Sequence, residues 1–136
     1  MKSITIPDNL IDLFSQCDTL SKKYITIMLQ APAIPPIPDG EKAKELFNCQ
    51  NVAYVFTRQM DKHTLYFAGD SDSILIKGLM SIMFTCINYP ANRDITRYNI
   101  ARIFQTLGIE KHYEESLPMG LGLVVDEVES ALLTAK

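Results

Sequence analysis

The stretch from Val52 to Leu79, VAYVFTRQMDKHTLYFAGDSDSILIKGL, changes period twice, and those changes decide the fold class. Val52, Tyr54 and Phe56 alternate with Ala53, Val55 and Thr57, the two-residue repeat of a strand rich in β-branched and aromatic side chains. Gln59 to His63 is polar and reads as a hairpin turn, after which Thr64 to Ala68 reads as the returning strand. Gly69-Asp70-Ser71-Asp72 breaks that strand and supplies capping side chains for a helix running to about Asn88. This helix is apolar almost all round, the pattern of a helix buried at the centre of a domain.

Upstream of the strands the period is helical. Thr5 to about Cys17 places Leu10, Leu13, Phe14 and Cys17 on one face, with Thr5 as cap and Asp8 as its capping-box partner. A second helix is expected from Asp18 to about Gln30, with Leu20, Tyr24, Ile27 and Met28 in step. Pro32, Pro35, Pro36 and Pro38 make the following segment extended, because proline fixes φ and restricts the residue before it. Glu41 to Phe47 reads as a short helical turn. Downstream, Tyr89-Pro90 ends the central helix, and Asn99 caps a short helix that Gly108 closes. A last helix is expected from Leu117 to Thr134, with Leu121, Val124, Val125, Val128 and Leu132 as its buried stripe. The predicted architecture is α+β: a small antiparallel sheet packed against helices, in a single domain spanning residues 1–136.

Composition narrows the function. The chain has 136 residues, 47% of them hydrophobic and 21% charged, with a net charge of −3. A chain of this length buries roughly two-thirds of its unfolded surface, enough for a core without metal or disulfide support. Lys and Arg are scattered, so there is no basic field to attract nucleic acid. The segment MKSITIPDNL has no continuous apolar run of the secretory type, and Ile74 to Ile87 is interrupted by Lys77. A cytoplasmic protein without a membrane partner is the expectation.

Cys17, Cys49 and Cys86 form no CxxC pair, which argues against a zinc knuckle or a dithiol centre, so no metal site is expected. Cys17 and Cys86 sit within apolar helical patterns and read as small buried hydrophobes. Cys49 differs. It lies in Phe47-Asn48-Cys49-Gln50-Asn51, where the local pattern changes, and its neighbours are side-chain amides that can donate hydrogen bonds to a thiolate. Lys44 is a nearby cation. Gly69-Asp70-Ser71 superficially resembles a serine-hydrolase signature. However, Ser73 stands where the nucleophile elbow requires glycine, so the capping reading is preferred.

Two segments together, Asn48-Cys49-Gln50-Asn51-Val52-Ala53-Tyr54 and Phe67-Ala68-Gly69-Asp70-Ser71-Asp72-Ser73-Ile74-Leu75-Ile76-Lys77-Gly78-Leu79, resemble the SufE family. There a Gly-Cys-Gln-Ser-x-Val-Trp segment precedes Gly-Asp-Ser-Asp-Ala-x-Ile-Val-Lys-Gly-Leu. The resemblance covers roughly residues 14 to 132. It implies the α+β fold of the iron–sulfur scaffold proteins. It also implies that Cys49 accepts sulfur from a PLP-dependent cysteine desulfurase of the SufS or CsdA type. The sulfur would pass on to an iron–sulfur scaffold or another thio-acceptor. Asn48, Gln50, Asn51, Asp70, Ser71 and Asp72 would shape the sulfur loop and partner surface, the loop turning between shelter and partner. No cofactor of its own and no independent turnover are implied. This sequence departs from the pattern at Asn48, Asn51, Ala53 and Tyr54, and at Leu117, where the family carries an arginine within Pro-Ser-Arg-Ser-x-Gly-Leu. Loss of that guanidinium removes a charge favouring an anionic sulfur. It leaves a second reading, a non-catalytic module that docks on a desulfurase and regulates it.

Overall fold

The computed structural model describes residues 4–61, 64–89 and 97–134, with Arg97 and Tyr98 described by backbone alone. Lys62 and His63 of the expected turn, and Pro90, lie outside the described residues. The elements run α1 (Asp8–Ser15), α2 (Leu20–Leu29), a 3₁₀ turn (Ala31–Ala33), β1 (Lys44–Phe47), β2 (Val52–Gln59) and β3 (Leu65–Ser71). They continue with α3 (Ile74–Ile87), α4 (Arg97–Thr106), α5 (Glu110–Ser116), a second 3₁₀ turn (Leu117–Met119) and α6 (Leu121–Thr134). The fold is α+β, with six α-helices among the described residues and one antiparallel sheet in the order β1-β2-β3. No helix among the described residues is long and apolar enough to cross a membrane.

The central helix is α3. Ile76, Leu79, Met80, Ile82, Met83, Phe84 and Cys86 are all buried on it, at roughly 1.5–3 kcal/mol for each large side chain removed from water. Phe84 stacks on Phe67 of β3, with ring centroids 6.0 Å apart. On its other side α3 meets α2. A Cβ at Gly78 would overlap the Ile27 carbonyl of α2, so only glycine lets the two backbones come this close. The buried stripe of α6, Leu121, Val124, Val125 and Val128, joins the same core, and Leu132 packs at its margin.

Several boundaries differ from the sequence expectation, and the proline segment expected to be extended opens with the 3₁₀ turn at Ala31–Ala33, whose Pro32 sits at its start where no N–H is needed. Glu41 to Phe47 does not form a helical turn. Its second half becomes β1, because a lone helical turn is not self-sustaining and the ladder with β2 supplies partners. Gly69-Asp70-Ser71 does not break β3. The ladder runs on through Ala53↔Ser71, and the cap of α3 falls to Ser73, whose Oγ accepts from Ile76 N at 3.2 Å. Asp70, Ser71 and Asp72 therefore do not cap the helix. Nor does Thr5 cap α1, which follows Pro7, and α2 is capped by Thr19 rather than Asp18. Finally, Asn99 lies inside α4, residues 110–116 form a helix of their own, and the turn at Leu117–Met119 with Gly120 delays α6 to Leu121.

The hydrogen-bond phase of the sheet follows from a few bonds. Asn48 N donates to Asn51 O at 3.2 Å, and Asp72 N to Val52 O at 3.2 Å. Bonded pairs alternate in antiparallel ladders. Lys44 and Leu46 therefore bond across to β2, while Phe67, Gly69 and Ser71 of β3 point their backbone groups away from the sheet. All three of these β3 amides are satisfied. Asn88 grips Phe67 through both amide atoms, at 2.8 and 2.9 Å, Pro35 O accepts from Gly69 N, and Asp70 Oδ1 accepts from Ser71 N. The proline segment also covers part of the sheet's outer face: Tyr66 Oη donates to Pro36 O, and Glu41 pairs with Arg58.

Gly78→Ala is expected to cost about 2–4 kcal/mol, because the added methyl must push α2 and α3 apart where both are buried. Urea unfolding compared with an exposed-helix control such as Ser130→Ala checks it; equal stability of the two variants would refute the close-approach account.

Candidate functional site

Cys49 stands in the four-residue loop that joins β1 to β2, and its thiol is exposed. Asn48 builds the loop from inside. Its Oδ1 accepts from Gln50 N at 2.9 Å and from Asn51 N at 2.8 Å, an Asx-type turn that uses the side chain in place of backbone partners. The loop is then tied to the turn before α6. Asn48 Nδ2 donates to Pro118 O at 3.4 Å, and Asn51 Nδ2 donates to Met119 O at 2.7 Å. Gly120, at φ +126°, lies beneath: a Cβ there would be 3.6 Å from Asn48 Nδ2 and 3.7 Å from Asn51 Cβ. Glycine suits this backbone angle, which side-chain-bearing residues rarely adopt.

The second signature segment holds the other side of the hairpin. Val52 N donates to Asp72 Oδ1 at 3.0 Å, and Val52 O accepts from Ser71 Oγ at 2.9 Å as well as from Asp72 N. Ser71 Oγ also accepts from Ser73 N at 3.2 Å. Its hydroxyl is thus engaged in backbone contacts and is no poised nucleophile, which removes the hydrolase reading. Asp70 pairs with Lys77 at 3.0 Å.

The structure brings Asn48, Cys49, Gln50, Asn51, Ser71 and Asp72 together around the start of β2. Asp70 is one position further along β3, opposite Tyr54. The amides of Asn48 and Asn51 each donate one bond to the Pro118 and Met119 carbonyls, which end a short turn and need donors. Lys44 is bound to Glu127 at 2.9 Å. Leu117, at the arginine position, is half-buried against the core. Among the described residues no lysine or arginine bonds to the loop at 48–51. The supporting residues that sequence reasoning missed are Pro118 and Met119, which act through backbone carbonyls that no side-chain pattern reports.

The other thiols are placed differently. Cys17 is half-buried, 3.3 Å from Thr26 Oγ1. Cys86 is buried in α3, and burial pushes its thiol up to about 12 from an ordinary value of 9.0. Cys86 therefore stays a neutral thiol wherever the protein is folded at ordinary pH.

The family model for SufE, the Fe-S metabolism associated domain, matches residues 8–132.

Two outcomes test the site's geometry. Asn51→Ala should lower stability by about 1 kcal/mol, the worth of one hydrogen bond, and speed amide exchange at Gln50, whereas Gln50→Ala should do neither. Burial of Cys86 raises its folded value above the unfolded one, so its contribution is complete below about pH 9 and is lost as pH rises toward about 12. Between about pH 8 and pH 10.5 the unfolding free energy should fall by about 2 kcal/mol more in the wild type than in Cys86→Ala.

Proposed function

The chain belongs to the SufE family and so to iron–sulfur metabolism, and from that premise we propose that it is a sulfur acceptor whose Cys49 takes the sulfane sulfur of a cysteine desulfurase. The observation that carries this reading is an exposed thiol in a hairpin loop tied on one side to the turn before α6 and on the other to the Gly-Asp-Ser-Asp segment.

In the step proposed, the Cys49 thiolate attacks the terminal sulfur of a persulfide on the desulfurase cysteine. An S–S bond forms at Cys49, the partner's S–S bond breaks, and the partner cysteine leaves as a thiolate. The terminal sulfur keeps its proton, and no external oxidant or reductant is consumed. An in-line attack needs an accessible sulfur, which a protruding hairpin loop offers and a buried helical thiol such as Cys86 does not. The PLP that liberates sulfur from cysteine belongs to the desulfurase; this chain contributes the thiol and its support. The persulfide formed at Cys49 is then handed to an iron–sulfur scaffold or another thio-acceptor.

A specific observation favours the regulatory reading as a second possibility. With Leu117 packed into the core and Lys44 bound to Glu127, the loop has no cation of its own among the described residues. A module that docks and stimulates without carrying sulfur has no need of one.

Incubation with free cysteine and a desulfurase, followed by mass spectrometry without reductant, separates the two. Sulfur acceptance predicts the gain of one sulfur mass at Cys49 and a fall in acceptor activity of at least about a hundredfold in Cys49→Ser. Undiminished stimulation by Cys49→Ser would favour regulation, and addition at Cys17 would exclude Cys49 as the carrier.

A further inference from the structure

The sheet has two edges, and they are treated differently. On β3 the outward amides of Phe67, Gly69 and Ser71 are all satisfied within the chain. On β1 the same alternation turns the N–H and C=O groups of Glu45 and Phe47 outward, away from β2. Among the described residues no helix, loop or side chain donates to or accepts from them. Glu45 and Phe47 are exposed, Phe47 at 68%. Natural sheets cover or blunt such edges, as Asn88 and Pro35 cover Phe67 and Gly69 of β3 here. The bare edge is the one that leads straight into the Cys49 loop.

We propose that β1 is the docking edge for the desulfurase: an extended segment of that partner adds to the sheet as a fourth strand, hydrogen-bonding to Glu45 and Phe47. The inference rests on the sulfur-acceptor reading and deepens it by naming how the partner is aligned. Phe47 is two residues before Cys49. At about 3.3 Å per residue, a strand paired with Phe47 ends within about 7 Å of the thiol, so its register sets the approach of the two sulfurs. Side chains on the outer face state the partner's chemistry. Glu45 stands at the edge of this row beside Tyr54, the Asp70 at the far side of the row is paired with Lys77, and the next row begins with Phe47 and Val52. Opposite-charge and apolar pairs are the favourable cross-strand neighbours. The docking segment therefore presents a basic side chain to Glu45 and an apolar one to Phe47, two positions apart. A second copy fits this edge less well, since antiparallel pairing of two β1 strands brings two Glu45 carboxylates onto one short edge.

Residue-resolved amide exchange on the full chain, alone and with a PLP-loaded cysteine desulfurase of the SufS or CsdA type, tests the proposal. In the free protein the amides of Lys44 and Leu46 exchange slowly and those of Glu45 and Phe47 fast. Adding the desulfurase should slow Glu45 and Phe47 at least about tenfold. Glu45→Lys should weaken the complex by about three- to tenfold and lessen its salt sensitivity. Protection confined to the loop at 48–51 and the turn at 117–120, with Glu45 and Phe47 unchanged, would overturn the edge while leaving sulfur acceptance standing. Concentration-dependent protection of Glu45 and Phe47 in the free protein would assign the edge to a second copy and overturn it too. No change at any amide would remove the desulfurase itself, and the function with it.

Discussion

Val52 is held by its backbone from the side of β3: its N–H by the Asp72 carboxylate, its carbonyl by the Asp72 amide and the Ser71 hydroxyl. Those three bonds join the two signature segments of the chain. They set the phase of the β2–β3 ladder, and through the Asn48–Asn51 bond the same phase carries into β1. A slip of one residue would turn Ala53, Val55 and Phe67 away from α3 and reverse the direction of every backbone group in the hairpin. It would also move Cys49 off the end of the loop. The Gly-Asp-Ser-Asp segment is thus less a helix cap than a clamp on the strand that leaves the cysteine.

Around that clamp the site is built from backbone more than from side-chain charge. Asn48 and Asn51 donate to the Pro118 and Met119 carbonyls, and Gly120 supplies the positive φ of that turn. The turn that would bring an arginine near the sulfur in the family pattern is present here, but it delivers support rather than charge, because Leu117 packs inward. The ionic groups near the hairpin are committed elsewhere, Lys44 to Glu127 and Lys77 to Asp70. On the proposed reading, stabilisation of an anionic sulfur at this loop would come from surroundings that a partner brings.

The asymmetry of the sheet belongs to the same logic. The Asn88 side chain and the proline segment cover part of the edge farthest from Cys49 and part of the outer face, and the β1 edge left open leads into the Cys49 loop. Burial distinguishes the thiols: Cys86 is kept neutral inside α3, Cys17 is half-buried, and Cys49 is exposed.

Much of this was legible in residue order. The alternation in Val52–Thr57, the apolar run of α3 and the stripe of α6 are local periodicities, and each is read from side chains a few residues apart. They determine the α+β class, the central helix and the cysteine that stands outside the buried pattern. The strand at Lys44–Phe47, the extension of β3 through Ser71, the cap at Ser73 and the anchoring of Asn48 and Asn51 were not legible. Apart from the Ser73 cap, a local bond from Ile76 N, each depends on a backbone group supplied by another element, by Ala53 and Val55 for β1 and by Pro118 and Met119 for the loop. Sequence alone therefore determined which residues seek burial and which thiol is free of that pull. Tertiary structure decided what holds that thiol in place, because backbone donors and acceptors are the same at every residue and only the fold determines which of them meet.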